Sequence, residues 1–549
     1  MYLTSMFLKK MHSKNHTYLS LVETYREGEK IKHKTLLQLG RLDQLEASNQ
    51  LSRLVESFER LIQQKKRIHI DDFEELDRVN WGANKVFRKL WNDFGFESIF
   101  KNIFSDKKVE YSISETTFFE VVSRLVEPCS KLRLHQTQSK YFGIEEAKLH
   151  HLYRVLDLLS DHKEDLENAI FRNNVDLFNV SVDVVFYDVT TLYFESQKQN
   201  DLKDFGYGKD GKFNEVQIVL GLLVNSDGLP VGFDVFSGNT FEGKTLLSSL
   251  KKLKERFNIK NVIIVADRGI NSKINLKLIK DSGFDYIVGS RLKSLSKKLK
   301  IDVRDKSNYH PITFRNEGDM LRYSFDYKNL VQYEDDSLVD RKELLDEKLH
   351  CTWSKKRANK DKKDRLRLLE KARKMIESGK DGSSKKGAKK YISGTTEKQN
   401  LCLDEVKILE DESWDGFYGI QCSKLDLTTD EVLDAYHRLW KIEESFRILK
   451  STLQTRPMFH WSEKRIKGHL VVCFIAFLLQ RMLELRLIEQ SCEHSPDRIR
   501  AAVDELELSI VQIEGQEMYL RSKIPALAAD ILRILKIPTP KSLTLPKDF

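Results

Sequence analysis

The sequence has 549 residues, of which 40% are hydrophobic and 32% charged, with 25 glycines and 9 prolines. That length suggests about three or four domains, and the scarcity of Gly and Pro excludes collagen-like and low-complexity chains. A formal charge of +9, from 92 Lys and Arg against 83 Asp and Glu, leaves a surface suited to a polyanion.

In chain order, the opening MYLTSMFLKKMHSKNH lacks the apolar core of roughly 7–15 residues that marks a secretory signal. Residues 17–40 read as a hairpin turning at Gly28, with β-branched and aromatic residues partly alternating. Residues 43–67 read as helix and end in Lys65-Lys66-Arg67, and further helical pattern runs from Ile113 to Ser160. From Val180 the texture changes. VSVDVVFYDVTTLYF reads as a strand, and Asp227-Gly228 marks a hairpin turn in the next strand pair. The helix pattern TLLSSLKKLKERF, the buried-strand run NVIIVAD, and a further helix and strand come next, so an α/β layer is expected.

Residues 291–425 are basic, with short strand patterns in PITFR, MLRYSFDY, VKILED and FYGIQCS. Between Lys355 and Lys390, 16 Lys and Arg face 5 Asp and Glu, which accounts for the sign of the whole chain. That stretch reads either as a solvated helix with a loop or as a phosphate-binding surface. A long helix is expected from Thr428, where Glu431 completes capping-box spacing. The apolar run Leu470–Leu479 is too short for a membrane span of about 20 residues and reads as a buried helix. The region of about 485–536 reads as helical, ahead of a tail. Six cysteines without a CxxC pair suggest neither zinc site nor disulfide framework, which fits a cytoplasmic protein.

Three carboxylates stand out. Asp188 ends VVFYD and Asp267 ends VIIVAD, each at the edge of a buried strand, where ligands collect in open α/β sheets. Either Asp alone also reads as a turn or helix cap. Glu443 falls on the apolar stripe of its helix with Leu439 and Phe446, whereas Glu444 lies about 100° away and can face solvent. A Glu on that stripe implies an ion pair or a metal. Three converging acids repel one another unless cations neutralise them, and hard divalent ions suit such oxygens.

These residues resemble the DDE transposases of bacterial insertion sequences, in the branch marked by a Y-x2-R-x3-E-x6-K signature. The corresponding residues are Tyr436, Leu439, Glu443 and Lys450, with Leu439 in place of the signature Arg. YDVTT, GYGKDGKFNEVQIVLGLLV, SGNTFEGKT, ADRGI and RPMFHWSEKRIKGHLVVCFIAFLL carry the likeness further, as does the N-terminal HTYLSLVETYREGEKIKHKTLLQLGRLDQL. The resemblance implies a ribonuclease H-like α/β core interrupted by a largely β insertion domain, with helical N- and C-terminal regions. The expected divisions are 1–105, an N-terminal DNA-binding region; 106–175, helical; 176–290, the first part of the core; 291–425, the insertion domain; 426–485, the last part of the core; and 486–549, a helical region and tail. The 176 positions from Asp267 to Glu443 are too many for a loop and call for a domain.

By the same resemblance, Asp188, Asp267 and Glu443 are catalytic and bind two Mg²⁺ or Mn²⁺ ions. Tyr436 and Lys450 contact DNA, Arg438 or Lys441 substitutes for the missing Arg, and Trp440 either stacks a flipped base or packs in the core. Trp414 is a weaker stacking candidate. The partners implied are double-stranded DNA, as terminal inverted repeats and target, and a second copy of the chain. A metal-dependent nuclease without strand transfer and a non-catalytic DNA-binding regulator remain as alternatives.

Overall fold

The computed structural model describes residues 5–13, 15–27, 30–63, 73–178, 184–194, 198–205, 215–240, 245–246, 249, 262–312, 320–334, 340–378, 387–394, 401–455, 458, 460–513 and 515–549. The chain divides into two units: residues 1–77 with 509–520 and 543–549, and residues 78–508 with 521–542.

The first unit begins with an antiparallel sheet of β1 (Met6–Ser13), β2 (His16–Glu27) and β3 (Lys30–Arg41), in that spatial order. The alternation in HTYLSLVETYRE buries Leu19 and Val22 of the central strand. Glu27 pairs with Lys30 at the hairpin end, and Gly28 lies outside the described residues. The helix expected over 43–67 is two helices, Leu42–Ala47 and Gln50–Gln63. Between them Asn49 takes φ +54, a left-handed conformation that Asn tolerates. Lys65, Lys66 and Arg67 lie outside the described residues. A second sheet joins β4 (Phe73–Asn80) to strands from the far end of the chain.

In the second unit, the centre of the helical layer is the helix Glu463–Glu489. Its run Leu470–Leu479 is fully buried, as its composition suggested. Among the described residues no helix is long and apolar enough to cross a membrane. The helix packs on Leu149–Asp161 and Ile113–Val126, the latter within the stretch read as helical. The closest approach is at Gly468, where an added Cβ would stand 2.0 Å from the Leu156 carbonyl oxygen. Only a residue without a side chain lets the two backbones meet there. All six cysteines are free.

Beside the helices lies a mixed sheet of nine described strands. Its centre comprises β5 (Val184–Tyr193), β6 (Gln217–Asn225), β7 (Pro230–Ser237), β8 (Ile263–Ala266) and β9 (Asp285–Gly289). The order is β7-β6-β5-β8-β9, antiparallel across β7-β6-β5 and parallel across β5-β8-β9. The Asp227-Gly228 turn forms as expected. Gly228 takes φ +80, and the Asn225 side chain accepts hydrogen bonds from the Asp227 and Leu229 amides. Most of TLLSSLKKLKERF lies outside the described residues.

The segment read as an insertion extends the same sheet. β10 (His310–Pro311), β11 (Met320–Glu334), β12 (Asp340–Ser354) and β15 (Phe417–Cys422) continue it in the order β10-β11-β12-β15-β9. Between β12 and β15 lie the basic helix Lys355–Glu377 and a small hairpin of β13 (Ile392–Ser393) and β14 (Cys402–Leu403). PITFR contributes only its first residue to a described strand, and residues 313–319 lie outside the description.

Three expectations are corrected. VKILED is not a strand but part of the helix Glu405–Glu412. Asp404 caps it by accepting from the Lys407 amide at 2.9 Å, and it buries Asp411 while Val406 and Leu409 stay exposed. The helix from Thr428 has the expected capping box but is interrupted at Arg438-Leu439, giving Thr429–His437 and Trp440–Arg447. The helical terminal regions of the expected fold contain sheets. Besides β1–β3, residues 485–536 include β16 (Glu507–Ile513) and β17 (Gln516–Arg521), and the tail adds β18 (Leu543–Thr544), in the order β18-β17-β16-β4. The alternation of LSIVQI and Gly515 at φ +78 in the turn are the hairpin signals, and they prevail over helical propensity.

Gly468→Ala is expected to lower stability by at least about 1–3 kcal/mol, because the methyl meets backbone rather than a movable side chain. Urea denaturation measures this, and an unchanged midpoint would show that the helix pair can separate without cost.

Candidate functional site

Register comes first. β5 and β8 pair in parallel with Val184 opposite Ile263, Val185 opposite Ile264 and Phe186 opposite Val265. The same offset carried two residues further brings Asp188 level with Asp267, on strands about 4.8 Å apart. Val185, Tyr187 and Val189 on β5, and Ile264 and Ala266 on β8, face one apolar core. Alternation therefore turns Asp188 and Asp267 to the opposite face of the sheet. Asp188, expected at a strand edge, instead lies mid-strand because β5 continues to Tyr193 in its pairing with β6; it is half-buried and accepts from the Val189 amide at 2.8 Å. Asp267, just past the end of β8, is exposed and accepts from the Gly269 amide at 2.7 Å.

The two helices bearing the signature residues complete this region. Thr429–His437 contacts β8 and β9, and Trp440–Arg447 contacts β5, the strand of Asp188. After the break at Arg438-Leu439 the chain resumes as a helix at Trp440. Ile442, Ser445, Phe446 and Leu449 now form the buried stripe, at i, i+3, i+4 and i+7. The sequence reading of the two glutamates is thereby reversed. Glu443 is exposed and lines a cleft of about 630 Å³ together with Asp267. Glu444 instead takes the structural ion pairs, 3.2 Å from Arg447 and 3.8 Å from Arg481. Arg481 also donates to the Asp227 carbonyl at 3.1 Å, so it links this helix to the β6-β7 turn.

Tyr436, Leu439 and Trp440 line the same cleft. Tyr436 is half-buried with its hydroxyl 2.6 Å from that of Tyr418. Burial, and then the neighbouring Tyr418, push its phenol well above the usual range. Trp440 is 47% exposed, which removes it from the core. Arg438 pairs with Asp434 at 2.8 Å, and neither it nor Lys450 lines the cleft. The Lys441 side chain lies outside the description. Trp414 is buried against Phe417 and belongs to the core. Among the described residues no three His, Cys, Asp or Glu stand close enough to hold a metal. Asp267 and Glu443 share one cleft, and Asp188 stands one strand away. The donor set, carboxylate oxygens only, fits a hard divalent cation.

Sequence reasoning missed Arg268, Arg357 and Tyr418, which line the cleft beside the acids. Arg268 comes directly after Asp267, and Arg357 lies in the first turn of the basic helix. Tyr418 carries no local signal, since only the β9-β15 pairing brings it here. Gly289 leaves room for the group. A Cβ there would stand 2.7 Å from the Tyr436 hydroxyl and 2.8 Å from Arg268 Cγ.

His350 of β12 helps seat the helix Thr429–His437, with Nδ1 3.2 Å from the Thr429 hydroxyl. Burial, reinforced by Lys348, pushes its imidazole down to about 4 from the ordinary 6.5. The fold therefore holds it neutral while the unfolded chain takes up a proton, so its contribution is full above pH 6.5 and declines as pH falls toward 4. Urea midpoints measured across that window are expected to fall with pH. His350→Gln is expected to flatten the slope, and an unaltered slope would remove His350 from the explanation.

Comparison with known proteins gives a consistent family. Residues 8–71 match the model for the IS1634 family transposase N-terminal domain, and residues 182–479 match that for the transposase DDE domain. No curated protein matches. Among solved structures, the chain is similar to a piggyBac transposase synaptic complex with hairpin DNA, at 9% identity and a TM-score of 0.35 over 77% of this chain and 78% of that one. It is also similar to a Mos1 transposase paired-end complex with the left transposon end, at 8% identity and a TM-score of 0.15 over 33% of this chain and 59% of that one.

Proposed function

This chain belongs to the DDE transposases of insertion sequences, and on that premise we propose that it binds the terminal inverted repeats of its element, cuts the DNA at their ends and joins those ends to a target. The observation that carries this reading is the register that brings Asp188 level with Asp267 across two parallel strands, with Glu443 lining the same cleft as Asp267. The strand order β7-β6-β5-β8-β9, with its antiparallel and parallel halves, supports a ribonuclease H-like core for these acids.

The three carboxylates would hold two Mg²⁺ or Mn²⁺ ions. When bound, such a pair activates a nucleophilic oxygen and stabilises the leaving oxygen of a phosphodiester. Asp188 comes from β5 and Asp267 from the end of β8, whereas Glu443 comes from a helix, so this helix sets how closely the third acid approaches. Water cleaves the phosphodiester at the element's end and frees a 3′-hydroxyl. That hydroxyl then attacks either the opposite strand or the target, one P–O bond forming as another breaks.

Tyr436 and Lys450 hold the DNA backbone, and Lys441 supplies the charge that Leu439 lacks. Arg438 is already paired with Asp434 and contributes less. Trp440, exposed in the cleft, offers a ring on which an unpaired base can stack. The N-terminal region, with 13 Lys and Arg against 7 Asp and Glu over residues 1–67, recognises the repeats. Because two ends are processed together, the working form is a homodimer, acting in the cytoplasm.

Asp188→Ala, Asp267→Ala and Glu443→Ala are each expected to lower metal-dependent cleavage of a labelled duplex carrying the element's end by at least ~10³-fold, the scale for removing one member of a catalytic unit. Binding of the same duplex should stay within about twofold by the same scale of argument, since the acids carry no attraction for phosphate. Strand cleavage retained in Glu443→Ala would overturn the assignment. Cleavage without joined products would indicate a nuclease, and binding without cleavage a regulator.

A further inference from the structure

Beside the acid cleft lies a second cavity of about 410 Å³, and Arg268 and Arg357 line both. Its cations fall into two groups. Lys293 and Lys390 each contact the Asp411 carboxylate at 2.6 Å, and Arg365 is paired with Asp415. Burial opposes ionisation of Asp411, but hydrogen bonds from Lys293, Lys390 and Tyr391 outweigh it and hold the carboxyl below its ordinary range. These cations are neutralised within the fold.

Arg268, Arg291 and Arg357 are different. The guanidinium carbons of Arg268 and Arg357 stand 4.6 Å and 4.3 Å from the centre of one ring, that of Tyr418. Arg291 donates to the main-chain carbonyl of Arg268 at 3.2 Å and lines the second cavity together with Arg268 and Arg357. Among the described residues neither Arg268 nor Arg291 has a carboxylate partner. Arg357 Nε is buried without a hydrogen-bond partner, and its contact with Asp361 is 3.8 Å, beyond hydrogen-bond range. The Tyr418 ring provides some compensation, but like charges gathered at one ring still repel. An anion between them relieves that repulsion, and guanidinium forks match the oxygens of a phosphate.

We infer that Arg268 and Arg357, both over the Tyr418 ring, and Arg291, lining the second cavity with them, form a subsite for one backbone phosphodiester of the DNA strand entering the acid cleft. The inference rests on the transposase reading and deepens it. Arg268 adjoins Asp267 in sequence, so a strand held here lies next to the carboxylates. Arg357 comes from the basic helix, which ties that charge-rich segment to the site through one residue rather than through its net charge.

The test is a salt titration of the full chain binding a fluorescent duplex that carries the element's end, without divalent metal so that no cleavage intervenes. Log affinity falls linearly with log salt, with a slope of about 0.9 per phosphate neutralised. Arg268→Gln with Arg357→Gln is expected to make that slope shallower by about 0.9, one phosphate, and Arg291→Gln to shift it the same way. Lys293→Gln, whose charge already faces Asp411, should leave it unchanged. Arg268→Lys with Arg357→Lys keeps the charge and should restore the slope. An unchanged slope in the Gln variants, or an equal loss in the Lys variant, would overturn the subsite. Failure of the wild-type chain to bind any duplex would overturn the transposase reading instead.

Discussion

The parallel pairing of β5 with β8 is the constraint on which the site depends. A parallel ladder fixes the relative level of two strands, and their alternation fixes which face each residue takes. With one offset, the apolar residues of both strands are buried on one side, and Asp188 and Asp267 are brought level on the other. A slip of one residue would turn the acids into the core and the apolar residues out. The burial of Val185, Tyr187, Ile264 and Ala266 therefore holds the carboxylates in place without contact to them.

The third acid is held by different means. Its helix is not the continuation of the one before it. After the step at Arg438-Leu439, Leu439 is buried, Glu443 is exposed in the cleft, and Glu444 is half-buried toward Arg481. Glu443 thus stands at the edge of the buried stripe and shares the cleft with Tyr436, Leu439 and Trp440. Arg481, on the long buried helix, contacts both Glu444 and the β6-β7 turn, so the helix bearing Glu443 is anchored to the core through its neighbouring residue.

The basic stretch divides in a similar way. Much of its charge around the second cavity is answered by Asp411 and Asp415, and a few guanidiniums are left facing the cleft. A net charge counted along the sequence cannot separate these groups, because the neutralising acids, Asp411 and Asp415, lie 21 and 50 positions downstream of Lys390 and Arg365.

Local signals were enough for the strands of the α/β layer, the hairpin at β2-β3, the Asp227-Gly228 turn, the buried run of the long helix and the capping box at Thr428. Each is written in a short window of alternation, helical spacing or turn chemistry. Asp267 was legible for the same reason, since it directly follows a buried strand, whereas Asp188 lies mid-strand in β5 and its place was set by pairing on both sides. Tertiary structure alone decided the rest. VKILED, with the alternation of a strand, became a helix once Asp404 capped it and Asp411 found Lys293 and Lys390. That the segment read as an insertion joins the core sheet is set by the pairing of β15 with β9. Which of Glu443 and Glu444 faces the cleft was decided by packing against the core and by Arg481, and Tyr418 reached the site through strand pairing. Periodicity records what a segment can bury, but partners distant in sequence determine which of its faces is buried and which charges stay open to a ligand.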